Sequence, residues 1–131
     1  MSNLFKDKTD FNEDISKWDV GKVEDMSEMF GRAKIFDSDI SGWNVSNVQN
    51  MGFMFKAATS FDQPIGSWDV SNVKNMNSMF NSAEAFNNGG SPDISGWNTG
   101  KVTDMTSMFD SADNFNQNIG SWDVSNVTTM N

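Results

Sequence analysis

Residues 40–64 read ISGWNVSNVQNMGFMFKAATSFDQP, and this stretch decides the fold because the chain repeats it. The repetition is clearest in the tryptophans, which are separated by 25, 25, 29 and 25 residues. They are Trp18, Trp43, Trp68, Trp97 and Trp122. The same apolar residue types recur around each tryptophan at fixed offsets. Such a period is typical of repeat proteins, in which each unit buries its apolar face against its neighbours.

The repeats organise the whole chain. Residues 1–131 form a single repeat array of about five units, partial at both ends, with a four-residue insertion near residues 87–92. Leu4 and Phe5 take the places of a Met-Phe pair at the start, and the chain stops at Met130-Asn131 in the middle of a unit. Because neither end carries the polar cap of a finished array, we expect a fragment of a longer array.

Two spacings within each unit indicate its local structure. Trp43 and Val45 alternate with the polar Asn44, which predicts a short strand with one buried face. The following apolar residues are spaced as on one face of a helix. They are Val48, Met51, Met54, Phe55, Ala58 and Phe61. The sequence therefore predicts an α/β fold, a leucine-rich-repeat-like solenoid with one short parallel strand and one short helix per 25-residue repeat.

Composition and charge exclude several classes of protein. The 131 residues include 18 acidic and 9 basic side chains, which gives a formal net charge of −9. This charge argues against nucleic acid and anionic membranes as partners, because both require clustered basic residues. No apolar run is long enough to span a membrane. The polar N-terminus, MSNLFKD, is not a signal peptide, so a targeting segment would lie outside these residues.

The residue types also argue against catalysis. The chain has no His, Cys or Tyr, which removes Ser-His-Asp and Cys-His nucleophilic systems and imidazole or thiolate metal sites. Paired carboxylates could catalyse glycoside hydrolysis. The acidic residues, however, recur at equivalent turn positions, whereas catalysis needs one singular pocket. We therefore predict that the protein is not an enzyme and uses no cofactor.

The acidic residues leave a calcium hypothesis open. Alignment of the repeats brings Asp14 beside Asp39 and Asp37 beside Asp62. Neighbouring carboxylates repel each other unless they are protonated or bridged by a cation such as Ca²⁺. The competing interpretation is that these side chains accept hydrogen bonds from backbone N–H groups in tight turns. We favour the turn interpretation, because a calcium site needs six to eight oxygen ligands.

Residues that depart from the repeat pattern are candidates for binding a partner. Phe53, Arg32 and Ile35 are irregular on the predicted helical side, and Phe53 stands where other repeats have Glu or Ser. The insertion, a loop on a repeating scaffold, is a second candidate because loops commonly carry function. Its candidate residues are Asn88, Gly89 and Gly90. The repeating aromatic and Met residues are instead predicted to form the core.

The repeat I-x-x-W-x-V-x-x-V-x-x-M-x-x-M-F-x-x-A-x-x-F resembles the BspA-like leucine-rich-repeat family, in the 25-residue variant found in bacterial surface lipoproteins. The resemblance covers residues 4–131. It implies an α/β leucine-rich-repeat solenoid that is displayed on a cell surface or secreted and is used in adhesion or host contact, and it carries over no catalytic residues. Thr99 in place of Val and the insertion depart from the pattern.

These observations support one leading function and leave alternatives. We expect a non-catalytic repeat scaffold for protein interaction or adhesion, as part of a larger cell-surface protein. Its partner would be a macromolecule, most simply another protein. The alternatives are a passive structural spacer, a stalk that self-associates end to end, and a weak calcium-binding module.

Overall fold

Loops and turns make up nearly all of this protein. The computed structural model describes residues 1–131. It contains two short 3-10 helices, Asn88–Gly90 and Pro92–Gly96, and both lie in or next to the insertion. It contains no strand, and parallel pairing is limited to isolated bridges of one residue per repeat. These bridges are Asp25–Asn50, Asn50–Asn75, Asn75–Asp104 and Asp104–Thr129.

The prediction of an α/β leucine-rich-repeat-like solenoid is therefore wrong. No repeat has the predicted helix, and the predicted strand around Trp43 and Val45 is an irregular segment between turns at residues 41–42 and 46–47. The Trp43 N–H bonds the Ile40 carbonyl at 3.1 Å, and the Val48 N–H bonds the Val45 carbonyl at 2.9 Å. The molecule consists mostly of loops and turns without a sheet.

Backbone conformation explains the missing helix. Phe53 and Ala57 have φ of 59° and 55°, in the left-handed region, within the segment predicted to be helical. A right-handed helix requires negative φ at every residue. The equivalent residues of the other repeats are also left-handed. They are Asn3, Asp7, Glu28, Arg32, Ser78, Ser82, Ser107 and Ser111. The chain therefore turns every few residues instead of continuing as a helix.

The backbone N–H groups of this segment bond alternately within their own repeat and to the next repeat. The N–H groups of Met54, Lys56 and Ala58 bond carbonyls three residues earlier in the same repeat. The alternating N–H groups, from Met51 to Ala57, bond carbonyls of the next repeat at 2.8–2.9 Å. Those four bonds join Met51 to Asn75, Phe53 to Asn77, Phe55 to Met79 and Ala57 to Asn81. Each repeat thus satisfies its donors through its neighbour, as buried backbone groups require.

The core runs through all repeats along their repeating apolar residues. A cluster of 31 buried residues includes most of the Met, Ile, Phe and Trp positions. Phe55 lies 5.6 Å from both Phe30 and Phe80, centroid to centroid and nearly parallel. The Trp68 indole N–H donates to the Ile40 carbonyl of the preceding repeat at 3.1 Å. The prediction that the Trp, Met and Phe positions are core is confirmed for the interior repeats.

Exchanging Ala57 for glycine tests the left-handed turns. Glycine adopts φ of 55° without the steric cost that alanine bears, so Ala57→Gly is expected to raise the free energy of unfolding by about 0.5–1 kcal/mol. The control is Ala58→Gly, because Ala58 is fully buried and does not have positive φ; it should lower that free energy by about 1 kcal/mol. Urea titrations measure both changes. A helix would instead lose stability from both substitutions.

Candidate functional site

The largest concave apolar surface lies at the end of the last repeat. We call it the C-terminal groove; it has a volume of about 540 Å³, and seven of its ten lining residues are hydrophobic. The lining residues are Met105, Ser107, Met108, Phe109, Asp110, Ile119, Trp122, Val124, Met130 and Asn131. Apolar clefts of this size are typical of binding sites.

The groove is lined by core positions of the last repeat that are exposed in this structure. Val45 and Val70 are 1% exposed, whereas Val124 at the same repeat position is 44% exposed. Met130 is 58% exposed, although Met51 and Met76 at its position are fully buried. Side chains that form the interior elsewhere therefore contact solvent here.

The opposite end of the molecule presents the complementary set of positions. We call this surface the N-terminal face and define it by Leu4, Phe5, Phe11 and Trp18. Trp18 is 41% exposed, and Leu4 is also exposed. A shallower cleft of about 340 Å³ lies here, with Lys8, Asp10 and Glu13 at its border.

Hydrogen-bonding groups at the two ends lack the partners that interior repeats provide. The Phe80 and Ser82 N–H groups bond carbonyls of the next repeat at 2.9 and 2.8 Å, but the equivalent N–H groups of Phe109 and Ser111 make no bond within the chain. Four tryptophan indoles donate to an Ile carbonyl of the preceding repeat. The indole of Trp18 has no such acceptor. Both ends therefore expose unpaired polar groups beside apolar ones.

Two of the predicted partner-binding residues lie together in a small groove. Phe53 and Arg32 line a cleft of about 120 Å³ with Lys6, Glu28, Gly31 and Lys56. Most of its charges are already paired: Arg32 contacts Asp7 at 2.9 Å, and Lys6 forms an ion pair with Glu28. The Lys56 ammonium lies 5.3 Å from the centre of the Phe53 ring. This cleft is much smaller and more polar than the C-terminal groove.

The other candidate residues are separated from that cleft. Ile35 is 50% exposed and does not line it. Gly89 and Gly90 are exposed in the insertion, with φ of 59° and 75°. Asn88 is fully buried: its side-chain oxygen accepts the Ile65 N–H at 2.8 Å, and its amide donates to the Ser91 carbonyl and to Asp93. We therefore correct the expectation for Asn88, whose side chain holds the insertion and is not available to a partner.

The aspartates of the calcium hypothesis accept backbone hydrogen bonds. Asp14 and Asp39 each accept the N–H two residues later at 2.9 Å, which makes the expected tight turns. Asp37 and Asp62 accept hydrogen bonds from the following repeat. Asp37 accepts the Asp62 N–H at 2.9 Å, and Asp62 accepts the Asn87 N–H at 2.7 Å. No three acidic side chains converge on one point. The turn interpretation accounts for their positions.

The same hydrogen bonds stabilise the charged form of several aspartates. The pKa of Asp69 lies below its ordinary value because the Ser71 hydroxyl, and then the Ser71 N–H, donate to the carboxylate. Ser125 lowers the pKa of Asp123 in the same way, and Ser41 that of Asp39. A donor bonded to a carboxylate favours its charged form. These turns are therefore strongest when the aspartates are ionised.

Acid is expected to weaken the fold through these turns. A carboxylate whose folded pKa is depressed stabilises the protein above its unfolded value, near 3.8, and loses that contribution as pH falls through the folded value. The urea midpoint should stay constant above about pH 5 and decline from about pH 4 downward. Asp69→Asn keeps the turn acceptor, as Asn44 and Asn98 do at the same position, and should make the decline shallower. An unchanged pH profile for this variant would contradict the assignment.

The sequence did not reveal the C-terminal groove, because its lining residues follow the core pattern. The one available signal was the last unit, in which Trp122 and Val124 have no later counterpart.

The structure contains no helix long and apolar enough to cross a membrane.

Comparisons with known proteins identify a family without a described activity. No curated protein and no solved structure is similar to the chain. The resemblance to BspA-like repeats stays a prediction. A family model described as "Mycoplasma protein of unknown function, DUF285" matches residues 1–92 and 88–131. Since these matches together cover every repeat and the insertion, the chain belongs to the DUF285 family.

Proposed function

We propose that this protein is a non-catalytic repeat scaffold that binds another macromolecule, and that it is part of a larger cell-surface or secreted protein. The C-terminal groove carries the proposal, because it gathers seven apolar side chains around about 540 Å³ of accessible space. The surface location rests on the resemblance of the repeats to those of bacterial surface lipoproteins.

The groove has the make-up of a binding site for an apolar segment of a protein. Trp122 and Met108 form its floor and are largely buried, whereas Val124 and Met130 form exposed walls. Large apolar residues in a concave surface supply most of the energy of protein recognition. Polar groups border the apolar area at Ser107, Asp110 and Asn131. These groups can fix the orientation of a bound segment.

The polar side chains support a scaffold rather than a catalyst. Every buried side-chain nitrogen and oxygen atom has a hydrogen-bond partner inside the chain. The aspartates with lowered pKa hold turns, and they are spread over several repeats. Catalytic sites instead concentrate groups with opposing pKa shifts in one pocket. The polar side chains of this chain form hydrogen bonds that hold its turns and join its repeats.

Peptide selection tests the proposal. Peptides selected from a random displayed library on the wild-type protein should bind with micromolar affinity and weaken by at least about tenfold on Val124→Lys, which places a charge in the groove. The matched control is Ser125→Lys, an exposed neighbour outside the groove, which should bind as wild type. Circular dichroism checks that both variants are folded. Equal binding to all three proteins would overturn the role of the groove.

A further inference from the structure

We infer that the Asn88-Gly89 peptide in the insertion is a modification site, at which the asparagine deamidates only when the insertion opens. The reaction turns the side-chain amide into an acid, and the insertion cannot then close as before. The inference does not depend on the proposed function, because Asn88 lies between Trp68 and Trp97 and outside the C-terminal groove.

The sequence makes this peptide the most reactive of its kind in the chain. Deamidation begins when the backbone nitrogen of the following residue attacks the side-chain amide carbon. Asn88 is the only asparagine that is followed by glycine, which has no Cβ to shield its nitrogen or restrict the backbone. Several others are followed by the branched residues Val, Thr or Ile, which restrict the backbone most. They are Asn44, Asn47, Asn72, Asn98, Asn118 and Asn126.

The reaction consumes water and nothing else. The Gly89 nitrogen loses its proton to hydroxide and forms a bond to Asn88 Cγ. The bond from Cγ to Nδ2 then breaks, and ammonia leaves with a proton from water. One water molecule opens the resulting five-membered succinimide ring at either of its two carbonyl carbons. The products at position 88 are aspartate and isoaspartate, and no oxidant or reductant takes part.

The closed insertion holds the attacking nitrogen in an unreactive state. The Gly89 N–H donates to Asp62 Oδ1 at 2.9 Å. A deprotonated nitrogen would be negative and would lie beside the Asp62 carboxylate, so this contact keeps the proton on the nitrogen. Loss of the proton therefore requires that Gly89 first move away from Asp62.

The amide under attack is held just as firmly. Asn88 is fully buried, and its Oδ1 accepts the Ile65 N–H at 2.8 Å. Its Nδ2 donates to the Ser91 carbonyl at 2.8 Å and to Asp93 Oδ1 at 2.7 Å. Rotation of the amide toward the Gly89 nitrogen would break these three hydrogen bonds inside the protein, where water does not replace them. The fold therefore prevents deamidation while the insertion is closed.

The insertion is built to open separately from the repeats. Residues 87–93 read NNGGSPD and contain no large apolar side chain. Segments with few buried apolar contacts open at a lower free energy than the whole protein. On either side, Phe86 and Ile94 are fully buried, and Phe86 stacks on Phe61 and Phe115 at centroid distances of 5.9 and 6.0 Å. The repeats can therefore stay folded while the insertion opens.

The product does not fit the closed position. An ionised acid at position 88 has no hydrogen to donate, so the Ser91 carbonyl loses its partner. The acid also places a second carboxylate within hydrogen-bond distance of Asp93, and two such carboxylates repel each other unless one is protonated. Because Asp93 lies against Gly66 in the closed form, the modified chain exposes the surface around Gly66.

Deamidation rates of the folded and unfolded chain test the control by the fold. Peptide mapping by mass spectrometry follows Asn88 at neutral pH, in buffer and in urea. The folded chain should react at least about 100-fold more slowly, because its rate is proportional to the fraction of open insertion. The Ile65 N–H bonds only Asn88, so its hydrogen exchange should be slowed by the same factor. Equal deamidation rates in buffer and urea would overturn the inference.

Two substitutions of Asp93 test the hydrogen bond to the amide. Asp93→Ala removes an acceptor of the Asn88 amide, so deamidation of the folded chain should accelerate by about tenfold. Asp93→Asn is the matched control, because it keeps an acceptor oxygen at the same position and should react as wild type. Circular dichroism checks that both variants are folded. A wild-type rate for Asp93→Ala would contradict the inference.

Asn88→Asp represents one product and tests whether the insertion closes again. The Ile65 N–H of this variant should exchange about tenfold faster than in the wild type or more. The Phe55 N–H, which bonds the Met79 carbonyl between two repeats, should exchange as in the wild type. Wild-type exchange at Ile65 would show that the modified insertion closes, and the inference would fail. This comparison stands even if Asp93→Ala does not fold.

Discussion

Phe55→Ala is expected to lower the free energy of unfolding by about 3–5 kcal/mol. The Phe55 ring is fully buried in the middle repeat, and its centroid lies 4.0 Å from that of Phe61 and 5.6 Å from those of Phe30 and Phe80. Truncation removes contacts with rings of three repeats and leaves a cavity that the hydrogen-bonded turns cannot close. Urea unfolding followed by tryptophan fluorescence measures the change.

Phe5→Ala is the matched control. Phe5 occupies the same repeat position on the N-terminal face, but it is only half-buried and has a neighbouring repeat on one side. Its loss should cost about half as much as that of Phe55 or less. Equal costs at the two positions would show that stability does not depend on contacts with both neighbours.

Gly66→Ala is expected to destabilise the protein by at least about 2 kcal/mol, through a clash with the insertion. A Cβ atom at Gly66 would lie 2.0 Å from the Asp93 carboxylate and 2.7 Å from the Asp93 backbone carbonyl carbon. The backbone atom cannot move away as the end of a flexible side chain could. The insertion must therefore shift, which strains the hydrogen bonds that Asn88 makes with Ile65 and Asp93.

Gly120→Ala controls for the loss of a glycine. Gly120 occupies the same repeat position, where Ser16, Ser41 and Ser95 also stand, and its nearest contact would be 3.3 Å from Asn118. Its substitution should change the free energy of unfolding by less than about 0.5 kcal/mol. Deleting residues 88–91 should remove most of the cost of Gly66→Ala; a cost that persists without these residues would place the clash elsewhere.

The sequence predicts the core of this protein well. The 25-residue period identifies Trp43, Met51 and Phe55 as interior. The structure buries them together with Trp68, Met76 and Phe80, their equivalents in the next repeat. It also predicts that Asx residues such as Asp39 and Asn44 hold turns. Both predictions follow from residue type and position alone, because burial and turn hydrogen bonds need no knowledge of the local backbone path.

The local structure could not be predicted in the same way. A spacing of three and four residues between apolar side chains fits a helix. It also fits a series of short turns, each closed by a hydrogen bond to the carbonyl three residues earlier. Phe53 and Ala57 are ordinary helical residues by type, and their positive φ is maintained by hydrogen bonds to Asn77 and Asn81 of the next repeat. The conformation thus depends on a tertiary contact, which outweighs intrinsic propensity.

The candidate site was partly predictable. The repeat pattern identifies Phe53 and Arg32 as irregular residues, and they share a cleft. The sequence predicts Asn88 as a partner-binding residue of the insertion. The structure buries it instead, because asparagine can fill a polar gap in the interior by donating and accepting at once. The C-terminal groove could not be recognised from residue types, since Val124 and Met130 are of the same types as their buried counterparts in the other repeats.

The hydrogen bonds that join each repeat to the next have a consequence for how such a gene can vary. Because Met51, Phe53, Phe55 and Ala57 each bond the residue 24 positions later, in the next repeat, removal of residues 40–64 would join Asp39 to Ile65 with each donor still facing an equivalent acceptor. Loss or gain of a whole repeat would therefore give shorter or longer proteins that keep the same interior. The length of this protein can therefore change by whole repeats.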